Sequence, residues 1–326
     1  LLSIRCSCVF LTPHQRCCQD SLPPTGMDLR TRMAHNSYNR QEEDEPDGLS
    51  VVVDGVVFPK HFLTNRTMKE QLDCIRALEM REDDVIICAF PKSGTHWLWE
   101  VSCMLLTGKA EYEKRAKEQV MLEATQIQAV EQITSPRVLN THVPASMLPK
   151  QVKDKRVKVI HVYRNVKDVF TSLYFHVKQH PKREHLTLES LFTQSYFSPN
   201  NYNGNYYAFL KTMDSFIKDN PDIPVFNVSF EETKQNPVDM ISRLGEFLGV
   251  EAPPELCADI ARATSFSNMQ QADTNKHHPQ HMPPVRIYRK GEVGDWRNHL
   301  TVAQSERLDM DMNKLKGCSF SFTYAL

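Results

Sequence analysis

Pro91-Lys92-Ser93-Gly94-Thr95 lies between an apolar run, Val85 to Phe90, and a largely apolar stretch from about Thr95 to Leu106. The first run predicts a strand buried on both faces, and the second predicts a helix. A loop in that position brings free backbone N–H groups and the positive end of a helix to one point, which makes an anion site. Lys92 adds a mobile positive charge, Gly94 permits close backbone approach, and Thr95 can donate a hydroxyl. The loop is not a Walker A sequence. That motif places its lysine after a second glycine, whereas Lys92 comes two residues before the only one. The plain alternative is an ordinary strand-loop-helix turn.

A second cluster follows another buried strand candidate, Val157 to Tyr163. Arg164-Asn165-Val166-Lys167-Asp168 opens a predicted helix, with Ser172 about two turns further on. An arginine at a strand end can hold a phosphate bidentately. A solvated charge cluster at a helix start is the alternative here. Arg289-Lys290-Gly291, near the C-terminus, offers two cations and an unhindered backbone N–H. Two separate clusters that each suit a phosphate suggest a doubly phosphorylated nucleotide, since ATP would not need the second.

His142 sits in Thr141-His142-Val143-Pro144, just past a short strand candidate, Arg137 to Asn140. Histidine is the side chain whose pKa lies closest to neutrality, and so the natural general base for a hydroxyl. Residue type alone does not single it out among 13 histidines.

Together these segments resemble the cytosolic sulfotransferase family. Pro91-Lys92-Ser93-Gly94-Thr95 with Trp97 is similar to that family's phosphosulfate-binding loop. Arg164-Asn165-Val166-Lys167-Asp168 is similar to its R-N-x-K-D segment. Arg289 through Trp296 is similar to R-K-G-x-x-G-D-W, and Thr264-Ser265-Phe266 with Met269 is similar to T-S-F-x-x-M. The resemblance spans roughly residues 50 to 320. It implies 3′-phosphoadenosine 5′-phosphosulfate (PAPS) as sulfuryl donor and a small phenol, alcohol, steroid or amine as acceptor. It also implies His142 as base, Lys92 stabilising the leaving phosphate, and Ser172 holding Lys92 until the acceptor arrives. Ser93, Gly94, Thr95 and the backbone of His96 would bind the 5′ side. Arg164, Ser172, Arg289, Lys290 and Gly291 would bind the 3′-phosphate. Trp97, Thr264, Ser265, Phe266 and Met269 would surround the adenine, and Tyr202 is added to the nucleotide contacts. Phe62, Phe90, Phe175 and loops near 110–130 and 270–284 are candidate acceptor walls.

Two positions depart from the family pattern. Many members carry lysine two residues before the catalytic histidine, where this chain has Asn140, which can donate to a sulfuryl oxygen but brings no charge. His96 stands where members often have threonine. Arg297 through Glu306 resembles the family's short dimer motif, K-x-x-x-T-V-x-x-x-E, and implies a weak homodimer; an ordinary helix start capped by Thr301 is the alternative.

The elements that must position these residues alternate strand, loop and helix. That is the pattern of a single α/β domain with a mostly parallel sheet flanked by helices. A hairpin is expected over Leu49 to Phe58, turning at Asp54-Gly55. A helix is expected after Asn236-Pro237, stopping at Gly249, and another over about Val302 to Leu315. The polar, proline-bounded stretch 267–284 reads as a long loop, and loops that long are often lids. Residues 1–48 are expected to be a disordered extension and 49–326 the sulfotransferase domain.

With a net charge of −1, the chain shows nothing that calls for a nucleic acid or anionic membrane partner. No apolar run approaches the ~20 residues of a membrane span. A cytoplasmic location is therefore expected, and residues 1–26 read as an upstream segment before Met27 or Met33. Cys6, Cys8, Cys17 and Cys18 lack zinc-finger spacing, and no metal ligand set stands out. The sequons at Asn65 and Asn227 read as chance matches. Two rival readings remain. One is a P-loop kinase, which would need a strand ending in aspartate where this chain has Tyr163-Arg164. The other is a catalytically weak or inactive nucleotide-binding protein of the same fold. A membrane-bound Golgi sulfotransferase is disfavoured by the lack of an anchor.

Overall fold

The computed structural model describes residues 43–44, 48–62, 65–194, 205–276, 278 and 286–326. All fall in one unit, Glu42–Leu326. Tyr202, most of the expected 1–48 extension and the tip of the 267–284 stretch lie outside the described residues.

Four parallel strands form the central sheet: β4 (Val85–Cys88), β5 (Val138–Thr141), β6 (Lys158–Tyr163) and β7 (Val225–Ser229), in the order β5-β4-β6-β7. Every residue of β4 is buried, as its unbroken apolar run requires of a central parallel strand. The register aligns Cys88 with Thr141 on one side and with His161 on the other. The loop after β4, His142 after β5 and Arg164 after β6 therefore emerge along one edge of the sheet. From β4 the chain moves outward to β5 and then returns to β6 on the other side. The crevice outside the carboxyl ends at such a switch point is where open α/β sheets bind ligands.

A small antiparallel sheet precedes this core: β1 (Glu43–Asp44), β2 (Ser50–Val53) and β3 (Val56–Pro59). Asp54 at φ 56° and Gly55 at φ 77° form the expected tight turn. Helix α1 (Met68–Ala77) begins with a Thr67–Glu70 capping box.

Helix α2 (Thr95–Thr107) stops at Gly108, whose φ of 66° suits a left-handed cap. Its Trp99 donates Nε1–H to the Val138 carbonyl at 3.0 Å, pinning the helix to the sheet. At the opposite end of the strands Arg137 and Asp84, both fully buried, form a two-point pair with Nε–Oδ1 at 2.7 Å.

Three short helices come next: α3 (Ile127–Glu131), α4 (Gln151–Asp154) and, after β6, α5 (Val166–Val177) over the predicted range. Beyond α6 (Leu188–Gln194) lies α7 (Tyr206–Asp219), then α8 (Phe230–Gln235), α9 (Pro237–Leu248) and α10 (Pro254–Ala263). Helix α9 has Pro237 in its first turn and stops at Gly249 (φ 78°), as expected.

The 267–284 stretch differs from expectation. Its first part is a helix, α11 (Phe266–Asp273). Met269 is buried and anchors it, and the polar residues around that anchor face outward, a pattern that reads as loop when one apolar contact carries the burial. The final helix, α12 (Val302–Asp311), is shorter than predicted and continues as a 3₁₀ turn over Met312–Leu315.

Candidate active site

A cavity of about 980 Å³ opens at the carboxyl edge of the sheet. Of the residues picked out above, Lys92, Gly94, Thr95, His96, Trp97, His142, Arg164, Ser172, Thr264, Phe266, Met269, Arg289, Lys290 and Gly291 all line it. Ser93 and Ser265 do not. Ser93 is fully buried, and its Oγ has no partner among the described residues.

The loop after β4 is held in a tight conformation. Lys92 has φ 69° and Gly94 has φ 117°. A Cβ at Gly94 would come within 2.9 Å of Phe230, so no other residue fits there without displacing that ring. Gly94 also forms the cap of α2, which directs the first N–H groups of the helix at the cavity edge. Lys92 Nζ donates to the Ile287 carbonyl at 3.3 Å. The expected Ser172 contact is not what holds it, although Ser172 lines the cavity. Burial, and then the charges of Arg164, Lys117 and Arg289, push Lys92 down to about 8.

Arg164 is fixed from several sides. Its backbone N–H donates to the Tyr206 hydroxyl at 3.0 Å, Nη2 donates to the Glu292 carbonyl at 2.7 Å, and the guanidinium lies 4.2 Å over the Phe230 ring. Its Nε is buried with no partner among the described residues. A rigid guanidinium with an unfilled donor, lining a cavity, suits a bound anion.

Asn165 caps α5 by accepting from the Asp168 N–H at 2.9 Å. Lys167 is turned away from the cavity, to Ser305 and Asp309, both at 2.8 Å. Arg289 and Lys290 both bond the buried Asp295 carboxylate at 2.6 Å, which presents their charges at the cavity wall. Their pull, against burial, holds Asp295 well below the usual carboxylate range. A Cβ on Gly291 would clash with the Phe266 ring, so only glycine fits under it. Trp97 donates Nε1–H to the Thr264 carbonyl at 3.1 Å and joins α2 to the segment that leads into α11.

The ring of His142 bonds the Ala89 carbonyl through Nδ1 at 2.6 Å. A carbonyl only accepts, so Nδ1 carries the proton and Nε2 keeps its lone pair. Burial, and then the Lys117 charge, push the imidazole down to about 3, so the ring is neutral. Its backbone is fixed by the Glu123 carboxylate, which accepts from His142 N–H and from the Thr141 hydroxyl, each at 2.7 Å.

Several residues here were not singled out from sequence. Phe230, Lys117, Glu118 and His278 also line the cavity. Glu118 Oε1 lies 2.8 Å from His96 Nε2, and Oε2 lies 3.5 Å from His278 Nδ1. Burial alone would raise the Glu118 carboxyl, but His96, His278 and Lys117 more than offset it, so Glu118 is ionised. Lys117, Glu118 and His278 fall in the stretches near 110–130 and 270–284 expected to wall the cavity, although no residue in them was named.

Two expected acceptor walls are corrected. Phe62 lines the cavity, but Phe90 is sealed in the core against Tyr206 and Phe209, and Phe175 packs on His299 and Arg289. Asn140 is corrected too. It is fully buried, and its Nδ2 donates to the Lys117 carbonyl at 2.9 Å, so that amide is not offered to a ligand. Among the described residues no group of acidic, histidine or cysteine side chains is arranged to hold a metal. No described helix is long and apolar enough to cross a membrane.

The family model for the sulfotransferase domain matches residues 82–318. The chain belongs to the sulfotransferase family. Among curated relatives, mouse sulfotransferase 1A1 is 32% identical over 83% of this chain and 96% of its own length. Bovine sulfotransferase 1E1 is 30% identical over 78% of this chain and 90% of its own. The crystal structure of mouse sulfotransferase SULT7A1 complexed with PAP superposes with a TM-score of 0.68 at 26% identity, covering 83% of this chain and 96% of that one. As a member of the sulfotransferase family this chain is a transferase, and the expected single-domain α/β architecture is borne out.

Proposed function

We propose that the protein transfers a sulfuryl group from PAPS to a hydroxyl or amine of a small acceptor. The observation that carries this is the neutral His142, its Nδ1 proton committed to Ala89 and its Nε2 left as an acceptor, in one cavity with Lys92. PAPS supplies an activated sulfuryl group when bound. Nε2 of His142 takes the acceptor proton. Lys92 stabilises negative charge on the departing phosphate, with Ser172 lining the same cavity. Arg164, Ser172, Arg289, Lys290 and Gly291 hold the 3′-phosphate. Gly94, Thr95 and His96, which line the cavity, hold the 5′ side by backbone N–H groups and the Thr95 hydroxyl, with the buried Ser93 behind them. Trp97, Thr264, Phe266 and Met269 surround the base. The unpartnered Arg164 Nε, with the Arg289 and Lys290 charges on the same cavity wall, supports a doubly phosphorylated ligand. The PAP in the mouse SULT7A1 structure supports the same ligand.

Phenols, alcohols, steroids and amines are the acceptor classes, with Phe62, Met121, Leu49 and Pro59 providing apolar wall. The reading extends to a cytoplasmic, weak homodimer joined through Arg297 to Glu306, where Val302 is 74% exposed. A second reading, a PAP-binding protein that transfers poorly, is favoured by the loss of charge at Asn140. Thermal stability with adenosine 3′,5′-bisphosphate (PAP) against ATP-magnesium tests the nucleotide. A shift with PAP alone is expected, and a shift with ATP-magnesium alone overturns the reading. Radiolabelled PAPS with a panel of acceptors then separates the two readings.

A further inference from the structure

Lys117 opens the 3₁₀ turn Lys117–Val120, and only 2% of it is exposed. The chain here runs beside β5, where Met121 bridges to Asn140 and Leu122 N–H donates to the Asn140 carbonyl at 3.0 Å. The side chains then pair reciprocally. Lys117 Nζ donates to Asn140 Oδ1 at 2.8 Å, and Asn140 Nδ2 donates to the Lys117 carbonyl at 2.9 Å. An ammonium has three N–H donors. Among the described residues its other hydrogen-bond contact is the Met121 thioether at 4.0 Å, a weak acceptor. A buried cation with unfilled donors is costly unless an anion meets it.

That cation lines the same cavity as His142 and Lys92. Burial is the larger cause of lowering in His142, His96 and Lys92, and the Lys117 charge adds to it in each. Burial pulls Lys117 itself down, while Glu118 and Glu123 favour its charged form. Asn140 stands on β5 two residues before His142, where a lysine would reach the same space. Its amide is spent instead on gripping Lys117.

We propose that Lys117 is a catalytic residue that binds a sulfuryl oxygen of the donor, and that Asn140 is the positioning residue that holds it. The proposal rests on the sulfuryl-transfer reading. In that reaction the acceptor atom forms a bond to sulfur, and the bond from sulfur to the 5′-phosphate oxygen breaks. The acceptor proton goes to His142 Nε2, and the electron pair leaves with the adenosine bisphosphate. Lys117 transfers no proton. It donates a hydrogen bond to sulfuryl oxygen through the bond exchange, so charge is met from a different chain segment than β5.

The test compares wild type with Lys117→Gln, which keeps a donor for Asn140 but no charge, and with the swap Lys117→Met/Asn140→Lys. Calorimetry measures PAPS and PAP separately, because only PAPS carries the sulfuryl group. Lys117→Gln is expected to bind PAP like wild type and PAPS about tenfold more weakly, the scale of one charge-assisted contact. The swap is expected to restore PAPS affinity. With an acceptor in hand, kcat of Lys117→Gln is expected to fall about 10²–10³-fold. Its acidic limb is expected to move toward higher pH as His142 loses a neighbouring charge. Unchanged PAPS affinity in Lys117→Gln overturns the proposal. So does equal loss of PAP and PAPS, which marks Lys117 as a purely structural lysine. Wild type that binds neither nucleotide overturns the sulfuryl-transfer reading itself, and the proposal with it.

Discussion

Asp168 accepts the backbone N–H of Gly294 at 2.8 Å, joining the helix of the second anion cluster to a turn 126 residues later. Its other oxygen takes the Trp296 N–H at 3.1 Å. The Arg289-Lys290-Gly291 wall is thus tied to the Arg164 helix by a buried carboxylate that also pairs with the Arg164 guanidinium at 3.7 Å. Asp168→Ala is expected to destabilise the fold by about 1–3 kcal/mol through unmade bonds to partly buried N–H groups. PAP affinity should fall with it. Urea unfolding and PAP calorimetry check both, and an unaltered PAP affinity would show that the wall holds its shape unaided.

His142→Ala is expected to lower transfer by about 10²–10⁴-fold while leaving PAP affinity nearly intact, as loss of a general base should. Because His142 is pushed down to about 3, its ring stays neutral as pH falls below the ordinary histidine value. The acidic limb of wild-type kcat/KM should accordingly lie well below pH 6.5. A limb at pH 6.5 that disappears in His142→Ala would contradict the buried, carbonyl-bound ring.

Arg164→Ala should weaken PAP binding by about 1.5–3 kcal/mol, the range of a charge-assisted hydrogen bond. AMP, which lacks the 3′-phosphate, should be affected far less. Equal binding of PAP and AMP by wild type would remove Arg164 from the 3′-phosphate site.

Gly291→Ala places a methyl against Phe266 on a backbone at φ 68°. Such a conformation costs a non-glycine residue about 1–2 kcal/mol before any clash is counted. Nucleotide affinity is expected to drop, and Gly291→Ala combined with Phe266→Leu should recover part of it. Calorimetry on the three proteins decides this. Equal affinity throughout would mean that the Phe266 ring does not sit over the nucleotide segment.

Lys92, at about 8, is largely neutral above that pH in the free protein. A bound phosphate favours the charged form and raises the pKa. PAP binding above pH 8 should therefore take up a proton, up to about one, and affinity should decline as pH rises through 8 and beyond. Calorimetry in buffers of different ionisation heat measures the uptake. Lys92→Met should abolish it, and uptake that persists in that variant would assign the proton elsewhere.

The buried strands were legible because parallel strands covered on both faces read as unbroken apolar runs, as Val85–Cys88 does. The two candidate anion loops were legible partly because glycine is required at Gly94 and Gly291, each at positive φ with an aromatic ring against it. Helix α7 was not, and the 110–130 stretch reads only as a candidate wall with no residue in it named. Lys117, Glu118 and Glu123 acquire meaning only through contacts made across the fold to Asn140, His96 and Thr141. A lysine in a mixed polar segment carries no local mark of burial. Phe90 misled for the opposite reason, since an aromatic beside the phosphate loop turned inward to the core.

The strand order has one more consequence. In the proposed reading the donor cradle begins in short turns that leave β4 and β6 directly, so that part of its geometry is inherited from the sheet, while Thr264–Met269 and Arg289–Gly291 complete it from later in the chain. The Lys117–Met121 stretch and the 273–276 residues around the remaining cavity are carried on longer connections. Exchanging the 273–276 part between homologues as a cassette should redirect the chemistry to new acceptors, provided Lys117 is kept with the donor machinery.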